Sequence, residues 1–115
     1  MTQRRLQLGR DGEQQAAEEY QRRGYRVLER NWRVREGEVD LIVGRLGVLV
    51  FCEVKSRSSD RFGSPAEAVD WRKQQQVRSV ARLYLAGATG GIPSSIRFDV
   101  AAITAGRLTI IENAF

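Results

Sequence analysis

The sequence predicts one α/β domain, a central mixed β-sheet flanked by helices in the order α-β-β-β-α-β-β. Three observations carry this. The chain has 115 residues, 42% of them hydrophobic and 8% aromatic, which is a globular composition at the size of a single domain with its own core. Two segments place apolar residues at spacings of three and four, as helices do, and the rest alternate or run apolar, as strands do. The order of these segments lets helices cover both faces of one sheet. No linker, repeat or low-complexity tract interrupts 1–115.

The first helix is expected over residues 8–23. Ala16, Ala17 and Tyr20 share a face, and Glu13 lies three and four residues before the two alanines, so it falls on the same inward face. Gly24 ends the helix. Residues 25–33, with Val27 and Leu28, form the first strand, and Arg35-Glu36-Gly37 turns the chain. The second strand covers 38–43. Alternation sends Val39, Leu41 and Val43 one way and Glu38, Asp40 and Ile42 the other. The third strand covers 48–55, with Val48, Val50, Cys52 and Val54 on one face and Leu49, Phe51, Glu53 and Lys55 on the other. Both faces are largely apolar, so this strand is expected at the centre of the sheet.

Residues 56–64 read as a polar loop. Ser64-Pro65-Ala66-Glu67 has the form of a capping box with proline at the first helical position. The helix that follows is expected to break near Asp70-Trp71, to carry Val77, Val80, Ala81 and Tyr84 on one face, and to end near Gly87. After a loop over 87–95, Ile96, Phe98, Val100 and Ala102 alternate in a fourth strand over 96–103. Ala105-Gly106 turns into a fifth strand over 108–111.

Composition then narrows the chemistry. One cysteine and no histidine exclude a disulfide framework, the usual zinc sites and any Ser-His or Cys-His nucleophile. Catalysis would have to come from carboxylates, lysine, tyrosine or a hard metal. No apolar run approaches the ~18 residues of a membrane helix, and no apolar stretch follows the basic start Met1-Thr2-Gln3-Arg4-Arg5. A cytoplasmic location and no membrane partner are expected. The net charge of +5 and a pI near 10.1 point to an anionic partner, nucleic acid first. Two lysines, Lys55 and Lys73, stand against seventeen arginines, which suggests sites where a compact point charge is wanted.

A two-residue loop at Leu46-Gly47, read as a type II turn with glycine third, sets the register of strands two and three. Arg45 then faces Val48, Val43 faces Val50, Leu41 faces Cys52, and Asp40 faces Glu53. Two acids side by side on a sheet repel, on the order of 3 kcal/mol at ~5 Å and an effective dielectric of ~20. Lys55 shares Glu53's face and can offset one charge. With Glu13 also pointing inward, a negative excess remains, and Mg²⁺ or Mn²⁺ suits oxygen donors of this kind. The competing reading pairs Asp40 and Glu53 with arginines on an exposed face. Against it, Glu53 and Lys55 lie in the most apolar stretch of the chain, where charge is costly.

These residues carry a resemblance. Gly12-Glu13, Glu29-Arg30-Asn31-Trp32-Arg33, Gly37-Glu38-Val39-Asp40-Leu41-Ile42, Val50-Phe51-Cys52-Glu53-Val54-Lys55, Phe62-Gly63-Ser64-Pro65-Ala66-Glu67-Ala68 and Arg97-Phe98-Asp99-Val100 resemble the YraN family of small bacterial proteins over nearly the whole chain. That family is similar to the restriction-endonuclease-like superfamily, close to archaeal Holliday-junction resolvases. The resemblance implies a restriction-endonuclease-like fold. It implies metal ligands at Asp40 and Glu53, a catalytic lysine at Lys55 and a helical acid near the metal at Glu13. It also implies a homodimer. Three positions depart from the family pattern: Leu46 in the hairpin turn, Cys52 before Glu53, and Asp70-Trp71 at the second helix. None is acidic-site chemistry.

The expected function is Mg-dependent (or Mn-dependent) endonucleolytic cleavage of nucleic acid, DNA above all, with branched or junction DNA as the substrate the resemblance implies. Arg57, Arg61 and Arg72 would form a phosphate-binding rim, with Lys73 at the head of helix two beside them. Two alternatives stand: nucleic-acid binding without cleavage, and a protein-binding adaptor using the helix around Val77 and Tyr84. Cys52 reads as a core residue, Asp99 as an arginine's partner, and Trp32 and Trp71 as packed rather than base-stacking.

Overall fold

The computed structural model describes residues 3–57, 69–88 and 90–115. Its elements run α1 (Gln3–Arg22), β1 (Arg26–Val34), β2 (Gly37–Arg45), β3 (Val48–Arg57), α2 (Trp71–Ala86), β4 (Ser95–Thr104) and β5 (Arg107–Ile111). The strands form one sheet in the order β1-β2-β3-β4-β5. β3 and β4 run parallel and the other neighbours antiparallel. The mixed α/β architecture is the expected one, with β3 at its centre.

Each helix covers one face. Ala16, Ala17 and Tyr20 of α1 are fully buried against Leu41, Val43, Val50, Cys52 and Ala101. Val77, Val80 and Ala81 of α2 pack on Val39, Ile42, Leu49 and Phe51. Full burial of side chains such as Leu41 or Phe51 contributes about 1.5–3 kcal/mol each. α2 thus spends Val77 and Val80 on the sheet, while Tyr84 of the proposed adaptor face stays half-buried and its neighbour Leu83 exposed. Gly24 (φ +90°) ends α1, with the Tyr25 N–H donating to Tyr20 O at 2.9 Å and the Gly24 N–H to Gln21 O at 3.0 Å, the paired bonds of a Schellman cap.

Two expectations need correction. The Leu46-Gly47 turn is not type II. Leu46 (φ +48°) and Gly47 (φ +81°) are both left-handed, as in a type I′ turn, whose twist matches that of the strands it joins. Ala105 (φ +51°) and Gly106 (φ +80°) do the same between β4 and β5. Second, β2 does not alternate throughout. Leu41 and Val43 face α1, but Val39 joins Ile42 on the α2 side, so the alternation breaks at Asp40. Opposite the break, between the pairs Arg30↔Leu41 and Trp32↔Val39, Asn31 adopts φ +50°, a conformation asparagine tolerates better than most residues. α2 begins at Trp71, where the Asp70 carboxylate accepts the Lys73 N–H at 2.9 Å, an N-cap; the expected stretch of helix before Asp70 falls outside the described residues. The capping box over 64–67 and Arg61 lie outside the described residues. No helix among the described residues is long and apolar enough to cross a membrane.

Candidate functional site: an acidic fork in the sheet

β2 and β3 pair in the expected register from Arg45↔Val48 to Leu41↔Cys52. Beyond that rung they part. β2 stays with β1 as far as Val34↔Gly37, and β3 stays with β4 as far as Arg57↔Thr104. The centre of the sheet therefore opens into a fork, and Asp40 and Glu53 are the first residues inside it. They do not form the next backbone pair. Asp40 Oδ2 instead accepts the Val54 N–H at 2.8 Å, so a side chain satisfies a ladder donor.

Glu53 is 2% exposed. Its Oε2 lies 3.7 Å from Lys73 Nζ, while Oε1 is buried with no hydrogen-bond partner. Burial pushes its carboxyl up to about 8, and the Asp40 charge adds to this; Lys73, Lys55 and the Asp40 backbone pull the other way. Asp40 is also raised by burial, opposed first by the Val54 N–H. Glu13, half-buried on α1, accepts a hydrogen bond from Asn31 Nδ2 at 3.0 Å. Burial raises its carboxyl, the Asn31 bond lowers it, and Asp40 and Glu38 raise it again. Asp40 thus bears electrostatically on both other acids. All three shifts have the sign of carboxylates taken out of water, with like charge nearby adding to it.

The helix comes close at Glu13 because its neighbour is glycine. A Cβ on Gly12 would meet Ser56 Oγ at 2.7 Å and Ile103 Cδ1 at 3.2 Å. Gly37 plays a similar part on the other side, where a Cβ would fall 2.5 Å from the Gln76 side chain. Gln76 Oε1 in turn accepts from Lys73 Nζ at 2.9 Å. Lys73 at the head of α2 is therefore held against a buried acid while 30% of its side chain stays exposed. The signal was present, since residue 73 stands four before Val77 on the inward stripe of α2. Lys55 is half-buried, and its side chain makes no ion pair or hydrogen bond among the described residues. Arg57 ends β3 and Arg72 is exposed on the first turn of α2. Glu38 is tied to Arg33 through both Nε, at 2.7 Å, and Nη2.

The donors suit a hard cation: carboxylate oxygens only, one of them buried and unpaired. Cys52 belongs to the α1 side of the core, its thiol pushed up by burial. Among the described residues no three Asp, Glu, His or Cys side chains already stand close enough to form a complete metal cage. Asp99 is a different kind of buried acid. It accepts from Tyr20 Oη at 2.7 Å, from Arg97 Nε and Nη2 at 2.8 and 2.9 Å, and from the Asn113 N–H at 3.0 Å. It is satisfied, as its expected arginine partner implied. A concavity of about 1020 Å³ lies at the far end of β2 and β3, lined by Leu28, Trp32, Leu46, Leu83 and Ile92. It shares no residue with the acidic set and is not the better site. Trp32 packs edge-on against Tyr84 at 5.1 Å, as expected; Trp71 does not pack and is 71% exposed.

Comparison with known proteins gives the family. Residues 12–103 match the model of the uncharacterised protein family UPF0102, a span that holds Glu13, Asp40, Glu53, Lys55 and Lys73. A UPF0102 protein of Symbiobacterium thermophilum is 47% identical over 113 residues, 94% of this chain and 95% of its own. One from Frankia alni is 50% identical over 97 residues, 84% of this chain and 80% of its own. One from Thermodesulfovibrio yellowstonii is 40% identical over 111 residues, 96% of this chain and 97% of its own. The chain belongs to UPF0102, the family that the motifs identify under the name YraN.

Proposed function

We propose that this protein is a divalent-metal-dependent nuclease that hydrolyses phosphodiester bonds in DNA, with branched DNA as the substrate to test first. The observation that carries the reading is the buried Glu53 carboxylate, whose Oε1 has no partner, beside Asp40 at a fork in the sheet. Unpaired buried carboxylate is costly, and structural ion pairing of the kind seen at Asp99 does not account for it. Asp40 and Glu53 would hold Mg²⁺ or Mn²⁺, with Glu13 completing the set from α1. The cation would supply positive charge to a phosphate oxygen and make bound water more acidic.

The chain's own residues do the rest. Asp40 is oriented by the Val54 N–H. Lys73, steadied by Gln76, offsets the Glu53 charge. Lys55 is two residues from Glu53 on the same face, and its uncommitted ammonium can donate to the charge that develops on phosphate. Arg72 and the +5 net charge favour a polyanion, with affinity that falls steeply with salt. The test is incubation of the pure protein with branched, single-stranded and duplex DNA in Mg²⁺ or Mn²⁺. Cleavage should be abolished in Asp40→Ala. If no substrate is cut, or Asp40→Ala cuts as well as wild type, the reading fails. A second reading, binding without cleavage, draws on the incomplete cage among the described residues. It requires salt-sensitive binding with no effect of metal.

A further inference from the structure

Seven of the described aromatic rings lie against another ring: Tyr20 on Tyr25, Trp32 and Phe51 on Tyr84, Phe98 on Phe51 and Phe115. Trp71 touches none of them and leaves 71% of its surface in water. Of the two tryptophans, Trp32 is thus packed and Trp71 is the one the core does not use. Its place is specific. Trp71 is the first residue of α2, two before Lys73, whose Nζ is 3.7 Å from Glu53. Helical side chains lean toward the helix N-terminus, so both reach past the same end of α2. Two residues are 200° apart around the helix, which puts their side chains on opposite sides of its first turn, within about one helix diameter, ~10 Å. Between them in sequence, Arg72 is exposed. The head of α2 thus holds Lys73 against the fork on one side and offers an exposed indole on the other, with an exposed arginine next to it in sequence.

That pairing suits one chemistry. A nucleic-acid strand offers a phosphate to the cation and a base to the indole. In a continuous duplex the base faces are stacked on one another and cannot meet an indole, whereas unpaired bases stack on aromatic side chains without regard to sequence. We propose that Trp71 is the stacking platform for an unpaired base, so that a strand reaching the fork over the head of α2 is single-stranded about one helix diameter, ~10 Å, from Lys73. This rests on the nuclease reading for its substrate, though the stacking itself does not need cleavage. Among branched molecules, those with a single-stranded arm would then be preferred over fully paired ones.

The test uses the full chain in EDTA, where nothing is cut. A Trp32→Phe variant leaves Trp71 as the sole tryptophan, since the chain has two. A short oligothymidylate should quench its emission, and a blunt duplex should not. Stacking of one base on an aromatic is lost on alanine substitution with a penalty that corresponds to weaker binding on the order of tenfold. Trp71→Ala should therefore bind labelled oligothymidylate about tenfold less tightly, with Trp71→Phe in between. Equal affinity of wild type and Trp71→Ala overturns the proposal. So does quenching by the duplex as strong as by the single strand, or quenching by anionic vesicles and not by the oligonucleotide. The two readings fail separately. Quenching that survives in a protein that never cuts DNA sinks the nuclease and leaves the platform. Metal-dependent cleavage without quenching sinks the platform alone.

Discussion

Replacing Glu53 by glutamine should make the metal-free protein more stable in alkali, and less so in acid. In the folded chain the Glu53 carboxyl sits at about 8, against an ordinary 4.5. Below pH 4.5 the group is protonated in both folded and unfolded chains and has no differential effect. Above it the unfolded chain gives up the proton while the folded chain keeps it, so stability falls as pH rises, until the folded group ionises near pH 8. At 1.36 kcal/mol per unit, the part of this loss between pH 6 and pH 9 is roughly 2–3 kcal/mol. For a domain of this size that corresponds to ~10 °C in Tm. Glutamine keeps the shape and cannot ionise; Lys73, which is 30% exposed, can turn to water. Thermal melts in EDTA at pH 6, 7, 8 and 9 should show the wild type losing Tm and Glu53→Gln staying flatter. Added Mn²⁺ should reverse the wild-type loss, more so at higher pH, because the cation competes with the proton. A cation at 100 times its dissociation constant adds about 2.7 kcal/mol. Parallel curves for the two proteins in EDTA would show that the buried charge is compensated by something other than a proton or a cation.

Two further substitutions test the scaffold around the site. Leu46→Asn should raise stability by about 1 kcal/mol in chemical denaturation, because Leu46 is 88% exposed, makes little use of its side chain and sits at φ +48°, where asparagine before glycine is preferred; no gain would mean the turn is not type I′. Asp99→Ala should lower stability by about 3–5 kcal/mol, since Arg97 and Tyr20 lose a buried acceptor, yet leave the Mn²⁺-induced rise in Tm intact, because Asp99 bears on the α1 core and not on the fork.

The sequence made the element order, the β2–β3 register and the core faces of every element but β2, where Val39 changes sides, legible, because buried faces enforce periodicity. Glu13, Asp40 and Glu53 were legible for a related reason: charge in an apolar strand, or on the inward face of a helix, stands out. What escaped was set by tertiary contacts. Lys73 is on the inward stripe of α2, but nothing local says that its tip meets Glu53 across the sheet or that Gly37 leaves room for the Gln76 that holds it. Trp71 has the composition of a core residue and the position of a helix start, and position decided its exposure. The break at Asp40 was hidden because strict alternation is the default for a strand. The left-handed turn of Asn31 on the neighbouring strand overrides it.

That break would let the proposed acids bear on one site. Glu53 shares its face of β3 with Leu49 and Phe51, under α2, while Glu13 comes from α1 on the other face. An intact sheet would keep them in separate layers, since its backbone and side chains fill the space between two helices packed on opposite faces. The fork removes the barrier at one point: β2 and β3 stop pairing after Leu41↔Cys52, and Asp40 lies in the opening with its carboxylate on the Val54 N–H. It is the residue at which the β2 strand changes faces, so its charge bears on Glu13 from one layer and Glu53 from the other. Asn31 serves both ends of this arrangement, flanking the break in the backbone of β1 and holding Glu13 with its side chain. A site assembled from both helix layers through a gap in the sheet would explain why glycine is needed at position 12, where α1 must descend far enough for Glu13 to reach the gap.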